Sequence, residues 1–138
     1  MPNSNCVSNS NSCSNSNLNS YNILVTGSNG QVGSEIKELE KDYPYNFFFT
    51  TRNDLDITSK DSLRNFCKTN NINVIINCAA YTAVDKAESD ELNADLVNRK
   101  AVKKLSIIAK ELNIKLIHIS TDYVFDGKNF KPYVEEYK

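Results

Sequence analysis

The stretch Tyr21-Asn22-Ile23-Leu24-Val25-Thr26-Gly27-Ser28-Asn29-Gly30-Gln31-Val32-Gly33 decides the fold. Its first six residues are an apolar, β-branched run that stops at a glycine, the pattern of a short buried strand. Residues 30–41 then place Val32, Ile36 and Leu39 at helical spacing, and Pro44 forces the residue before it to be extended, so this helix ends near Asp42. Between strand and helix stand three glycines spaced by three. In that context Gly27 permits the tight turn, Gly30 lets the backbone amides of the helix N-terminus reach a pyrophosphate, and Gly33 lets the helix lie against the strand. Without a strand before and a helix after, the same glycines would read as a plain loop.

The alternation continues outward from this unit. Residues 45–51, Tyr-Asn-Phe-Phe-Phe-Thr-Thr, are aromatic and β-branched, as expected of a second strand covered on both faces by helices. Thr58 followed by Asp61 predicts a helix N-cap with an acidic partner, and Leu63, Phe66 and Cys67 give the apolar stripe of a helix running to about Thr69. Residues 72–78 form a third strand that ends in the small residues Ala79 and Ala80. A long helix is predicted from Asp85 or Asp90 to Leu112, with Leu92, Leu96, Ala101, Leu105, Ile108 and Leu112 facing the core and Lys103, Lys104 and Lys110 facing out. Asn113 ends it, Lys115 to Ser120 is a fourth strand, and the chain after Thr121 is loop-like. Strands joined by helical crossovers predict right-handed βαβ units and a parallel sheet, an α/β fold of the Rossmann type.

Composition narrows the function classes. Sixteen basic and seventeen acidic residues in a chain of 138 give a net charge of −1, with no basic footprint for nucleic acid or an anionic membrane, and no apolar run is long enough to span a bilayer. Residues 1–20 are almost entirely Asn and Ser, without a charged side chain, and are expected to be a disordered tail; residues 21–138 are expected to be the folded, dinucleotide-binding part. The tail lacks the basic start and apolar segment of a secretory signal and the Arg of a mitochondrial one, so a cytoplasmic location is expected. Cys6 and Cys13 fall in the tail, and Cys67 and Cys78 read as small buried hydrophobes; none shows zinc-like spacing.

Ligands of open parallel sheets bind past the carboxyl ends of the strands. The residues lying there are Gly27, Thr50 to Asp56, Ala79 to Thr82 and Ser120 to Asp122. In place of the acidic residue that often takes a ribose 2′-hydroxyl, the second strand ends Thr50-Thr51-Arg52-Asn53-Asp54. Arg52 is either a partner for a 2′-phosphate, which favours NADPH over NADH, or a solvated surface arginine. Asp56 and Ile57 are placed to hold an adenine. A hydroxyl of Ser120-Thr121-Asp122 at the end of a central strand can polarise a carbonyl where a hydride arrives, although Ser, Thr and Asp also suit an ordinary turn. His118, the single histidine, is expected to pack inside the sheet, and Asp85-Lys86-Ala87-Glu88 to be a charged helix start.

The segments GSNGQVG, LDIT, NCAAYTAVDKAESD and HISTDYVFDG, in this order and spacing, resemble the dTDP-4-dehydrorhamnose reductases of the extended short-chain dehydrogenase/reductase superfamily over residues 21–138. The resemblance implies an oxidoreductase that reduces the 4-keto group of dTDP-4-dehydro-L-rhamnose with NADPH or NADH, giving dTDP-L-rhamnose for cell-surface polysaccharide. It implies pyrophosphate contacts at Gly30, Gln31 and Val32, adenosine contacts at Asp56 and Ile57, and Ala79, Ala80, Tyr81 and Thr82 beside the cofactor nearer the nicotinamide. Thr121 would hydrogen-bond the reacting oxygen of the sugar, with Asp122 beside it. Glu35 matches a family glutamate linked to Mg²⁺ at a dimer contact.

The superfamily draws its proton from a Tyr with a Lys four residues later. None of the seven tyrosines in this sequence has a Lys at that spacing. Loss of such a general acid costs about two to four orders of magnitude in rate, so the 138 residues alone are expected to have no useful turnover. The fourth strand is expected to be an uncovered edge, open to a homodimer partner or a complementing C-terminal half. An alternative is a non-catalytic dinucleotide-binding protein like the regulatory β subunit of methionine adenosyltransferase, which resembles the same family.

Overall fold

The structure is a computed structural model and describes residues 21–83, 90–120, 130–132 and 134. The tail 1–20, the segment 84–89 with Asp85 to Glu88, and Thr121 and Asp122 lie outside the described residues. Four parallel strands, β1 (Asn22–Thr26), β2 (Asn46–Thr50), β3 (Val74–Asn77) and β4 (Lys115–His118), form one sheet in the order β2-β1-β3-β4. Helix α1 (Gln31–Leu39) continues as a 3₁₀ turn over Glu40–Asp42, and α2 spans Lys60–Thr69. Helix α3 covers 91–111: an α-helical turn Glu91–Asp95, a π-helical stretch Leu96–Ala101 and an α-helix Val102–Glu111.

The chain steps from β1 to β2 in one direction and then back across β1 to β3 and β4. With right-handed crossovers this reversal puts α1 on one face and α2 and α3 on the other. The strand residues sort accordingly. Leu24 and Ile75 are fully buried with Leu63 and Cys67 of α2 and Leu105, Ile108 and Ala109 of α3, whereas Ile23, Val25 and Val74 pack with Ile36 of α1. Lys60 and Arg64 of α2 both pair with Glu111 of α3 at 2.8 Å.

Two helices hand the chain to the next strand by the same device. After α2, Asn71 (φ 49°) is left-handed, Ile72 N–H donates to Cys67 O at 2.9 Å and Asn71 N–H to Lys68 O at 3.3 Å. After α3, Asn113 (φ 55°) is left-handed, with Ile114 N–H on Ala109 O at 2.8 Å and Asn113 N–H on Lys110 O at 3.4 Å. Both are Schellman ends with Asn in the position glycine usually takes, and the isoleucine that follows each is buried in the core. Ile72 therefore belongs to a helix end, and β3 is shorter than the predicted 72–78.

Several local expectations are corrected. The N-cap of α2 is Ser59, whose hydroxyl accepts Ser62 N–H at 3.3 Å; Asp61 turns to Arg64 instead of back to the cap. β2 is an outer strand rather than one covered on both faces. Phe48 meets Phe66 of α2 edge to face, while Tyr43, Tyr45, Phe47 and Phe49 run as a half-exposed aromatic row on the other side. Leu92, expected in the core stripe, is 81% exposed, and Lys104 does not face out: its ammonium donates to Thr58 O at 2.5 Å. His118, expected inside the sheet, is exposed, as are Ile117 and Ile119 beside it; among the described residues β4 is the other outer strand. Cys67 is buried as expected, with its thiol pushed up to about 11 by desolvation; Cys78 is only half-buried.

Candidate functional site

A cleft of about 210 Å³ opens at the carboxyl ends of β1, β2 and β3. This is the side on which the order of strands reverses, where parallel sheets hold their ligands. One wall is the glycine turn. Gly27 has φ +67°, and a Cβ there would lie 2.6 Å from Ala79 N, so glycine is required both by the turn and by the approach of β3's end. Gly33 is buried, and its added Cβ would lie 2.5 Å from Gly27 O; the helix thus packs on the glycine turn rather than on the strand proper. Gly30 is the extended N-cap of α1, donates its N–H to Gly27 O at 3.0 Å and would tolerate a Cβ more easily, 3.3 Å from the same oxygen.

No side chain caps α1 and no acidic residue stands in its first turn, so the positive end of the helix faces the turn without a built-in anion. That arrangement fits a pyrophosphate. Gln31 and Val32 begin this helix, both exposed, and neither they, Gly30 nor Gly33 line the cleft. Of the other predicted residues, Gly27, Arg52, Asp56, Ile57, Ala79, Ala80 and Tyr81 do line it, and Thr82 does not.

The second wall is the loop from β2 to α2. Asp56 Oδ1 accepts the N–H and the hydroxyl of Thr58 at 2.8 and 2.6 Å, and these bonds hold its carboxyl below the usual carboxylate range, with Arg52 and Lys104 adding to the effect. One oxygen of Asp56 is thereby committed to its own loop, and an adenine amino group would have to use the other.

The third wall comes from α3, and nothing in the periodicity of the sequence marked it. Val97 lines the cleft from the π-helical stretch. Its neighbour Asn98 clamps the loop after β3: Tyr81 N–H donates to Asn98 Oδ1 at 2.8 Å and Asn98 Nδ2 donates to Tyr81 O at 3.0 Å. The Tyr81 hydroxyl donates to Asp90 Oδ2 at 3.3 Å, and desolvation, then the Asp90 charge and bond, raise its pKa. Thr50 and Thr51 also line the cleft, and the buried Thr50 hydroxyl bonds Val25 O at 3.3 Å.

Glu35 is exposed on α1, and among the described residues no group of three or more His, Cys, Asp or Glu side chains is placed to hold a metal. Nothing among the described residues supports the Mg²⁺ expectation. Among the described residues no helix is long and apolar enough to cross a membrane.

Similarity to known proteins agrees with this geometry. A dTDP-4-dehydrorhamnose reductase of Burkholderia thailandensis is 41% identical over 117 residues, and a dTDP-4-keto-6-deoxy-D-glucose reductase of Streptomyces niveus is 39% identical over 112. These matches cover 82% and 81% of this chain but 38% and 39% of the relatives, so the chain spans about two fifths of their length. The crystal structure of a dTDP-4-dehydrorhamnose reductase from Clostridium acetobutylicum superposes with TM-score 0.78 at 40% identity, covering 85% of this chain and 42% of that one. The Bacillus anthracis enzyme, solved in complex with NADP, superposes with TM-score 0.76 at 32% identity, covering 83% and 41%. The family profile described as the RmlD substrate binding domain matches residues 21–138, and the chain belongs to that family.

Proposed function

We propose that this chain forms the NADP(H)-holding part of a reductase that converts the keto group of a dTDP-linked 6-deoxysugar to an alcohol, with dTDP-4-dehydro-L-rhamnose as the substrate. The observation that carries the proposal is the cleft itself. A glycine turn at a helix N-terminus, a loop that brings Arg52 to the end of β2 and small residues at the end of β3 meet around one space. The relative bound to NADP supports the choice of dinucleotide.

In this reading the amides of Gln31 and Val32 hold the pyrophosphate, which packs against Gly30 where a side chain would stand, and Arg52 faces the ribose 2′-phosphate. Asp56 and Ile57 border the adenosine. Ala79 and Ala80, with no side chain beyond Cβ, and Tyr81 and Thr82 after them, let the nicotinamide approach the end of β3. When bound, NADPH supplies the hydride that reduces the ketone. The role of the chain is then to place the sugar's oxygen: the Thr121 hydroxyl donates to it and Asp122 holds the sugar beside it.

Titration calorimetry of the 138-residue chain with NADPH tests the dinucleotide site. Saturable binding is expected. A folded chain, verified by circular dichroism, that binds neither NADPH nor NADH overturns the proposal.

A further inference from the structure

The turn from Thr51 to Leu55 is held together by a carboxylate to which the dinucleotide reading gives no role. Asp54 Oδ2 accepts Thr51 N–H at 2.9 Å and the Thr51 hydroxyl at 2.6 Å. Backbone bonds close the same turn, Asp54 N–H and Leu55 N–H donating to Thr51 O at 3.2 and 3.0 Å, and Asn53 N–H reaches Thr51 Oγ1 at 3.3 Å. The bonds from Thr51 hold the Asp54 carboxyl below its ordinary range, so it is charged at neutral pH.

Arg52 sits inside this turn, is exposed, and lines the cleft together with Thr51 and Asp56; Asp54 does not line it. A carboxylate aimed at the ribose would accept a 2′-hydroxyl and repel a 2′-phosphate. The loop has two carboxylates. Asp54 is spent on Thr51, and Asp56 gives one oxygen to Thr58. The guanidinium is the cationic group that the loop brings to the cleft, and a guanidinium matches a phosphate with paired, charge-assisted bonds.

We infer that Asp54 is a positioning residue: its bonds to Thr51 shape the turn that presents Arg52 to the cleft, and they thereby set the preference for a ribose 2′-phosphate over a 2′-hydroxyl. The inference rests on the NADP(H) reading above. It assigns selectivity to a residue that touches neither cofactor.

The test is the ratio of NADPH to NADH affinity, measured by calorimetry on the 138-residue chain and four variants. Arg52→Ala is expected to lower the ratio by roughly tenfold or more, the worth of bonds to a charged group. Asp54→Ala is expected to lower it by about threefold to tenfold, chiefly by weakening NADPH. Asp54→Asn keeps an acceptor oxygen for Thr51 and is expected to preserve the ratio, whereas Thr51→Val, which removes one of the two bonds, lowers it less than Asp54→Ala. A merely structural role for Asp54 would weaken both dinucleotides alike and leave the ratio unchanged; a merely repulsive one would raise the ratio in Asp54→Ala and Asp54→Asn together. Either result overturns the inference while the dinucleotide site stands. A wild-type chain that binds neither dinucleotide removes both.

Discussion

Thr26 Oγ1 donates to Asn77 Oδ1 at 2.6 Å, and both residues are buried where β1 and β3 run side by side in register. The bond takes the amide oxygen of Asn77, which leaves its Nδ2 facing His118 Nδ1 at 3.0 Å on β4. In this orientation the amide nitrogen donates and His118 Nδ1 accepts. Three strands are tied at one level, immediately before Gly27 and the residues that line the cleft.

Replacing Asn77 by Leu keeps the volume but strands the Thr26 hydroxyl in the interior. A loss of about 1–3 kcal/mol in unfolding free energy is expected. Combining it with Thr26→Val removes both polar partners and should recover part of that loss, since two apolar groups leave nothing unsatisfied. Urea denaturation of the single and double variants measures the difference; additive losses would show that the bond is not the reason for the cost.

Gly27→Ala and Gly30→Ala should differ sharply. At Gly27 the left-handed backbone costs an alanine about 1–2 kcal/mol, and the new Cβ also meets Ala79 N at 2.6 Å. At Gly30 the backbone is extended and the nearest atom is 3.3 Å away. Thermal melts followed by circular dichroism should show a large drop for the first variant and a small one for the second, with NADPH binding lost in the first. Equal melting temperatures would refute this account of the glycine turn.

Asn98→Ala removes both bonds that fasten the backbone of Tyr81 to α3. These bonds are exposed, so global stability should change by no more than about 1 kcal/mol. NADPH affinity should fall severalfold, because the loop that borders the cleft is no longer held. Paired denaturation and calorimetry separate the two effects.

Asp95 accepts from Arg99 and from Lys100 within α3, and these bonds lower its carboxyl from 3.8 to about 2. A carboxylate whose folded value is depressed stabilises the fold above its unfolded value, and that contribution is lost as pH falls toward the folded one. Wild type should therefore exceed Asp95→Asn in melting temperature at neutral pH, with the gap closing between about pH 4 and pH 2. A gap that is independent of pH would show that Asp95 acts through something other than its charge.

Much of the fold was legible because its signals are local. The glycine spacing, the apolar runs of β1 and β3 and the stripes of α2 and α3 each depend on a few neighbouring residues, and the structure has these elements in that order. Asn113 was recognisable as a helix end because a left-handed residue suits Asn; Asn71 does the same after α2, but it lies between the predicted helix end at Thr69 and the predicted strand start at Ile72 and was given no role. Thr58 and Ser59 are equally good caps by residue type. Ser59 took the role because Asp56 had already engaged Thr58.

The site was only partly legible. Gly27, Arg52, Asp56, Ile57, Ala79, Ala80 and Tyr81 could be proposed because strand ends in a parallel sheet converge at one edge. Val97 and Asn98 could not, since a helical stripe identifies the face turned to the core but not the turn that stands over a neighbouring loop.

By itself the sequence determined a parallel α/β unit, a glycine turn able to adopt positive φ, and the family, since backbone preference, periodicity and motif spacing are written along the chain. The tertiary structure decided how far the faces of the outer strands are covered, leaving His118 exposed and β2 half-covered, and which polar groups were free to meet a ligand. Alternation along a strand distinguishes one face of a sheet from the other; the strand's place in the sheet is set by crossovers between distant segments. For the same reason Asp54 and Asp56, two carboxylates in one short loop, came to serve as fastenings for Thr51 and Thr58, and Arg52 between β2 and those fastenings was left to face the cleft.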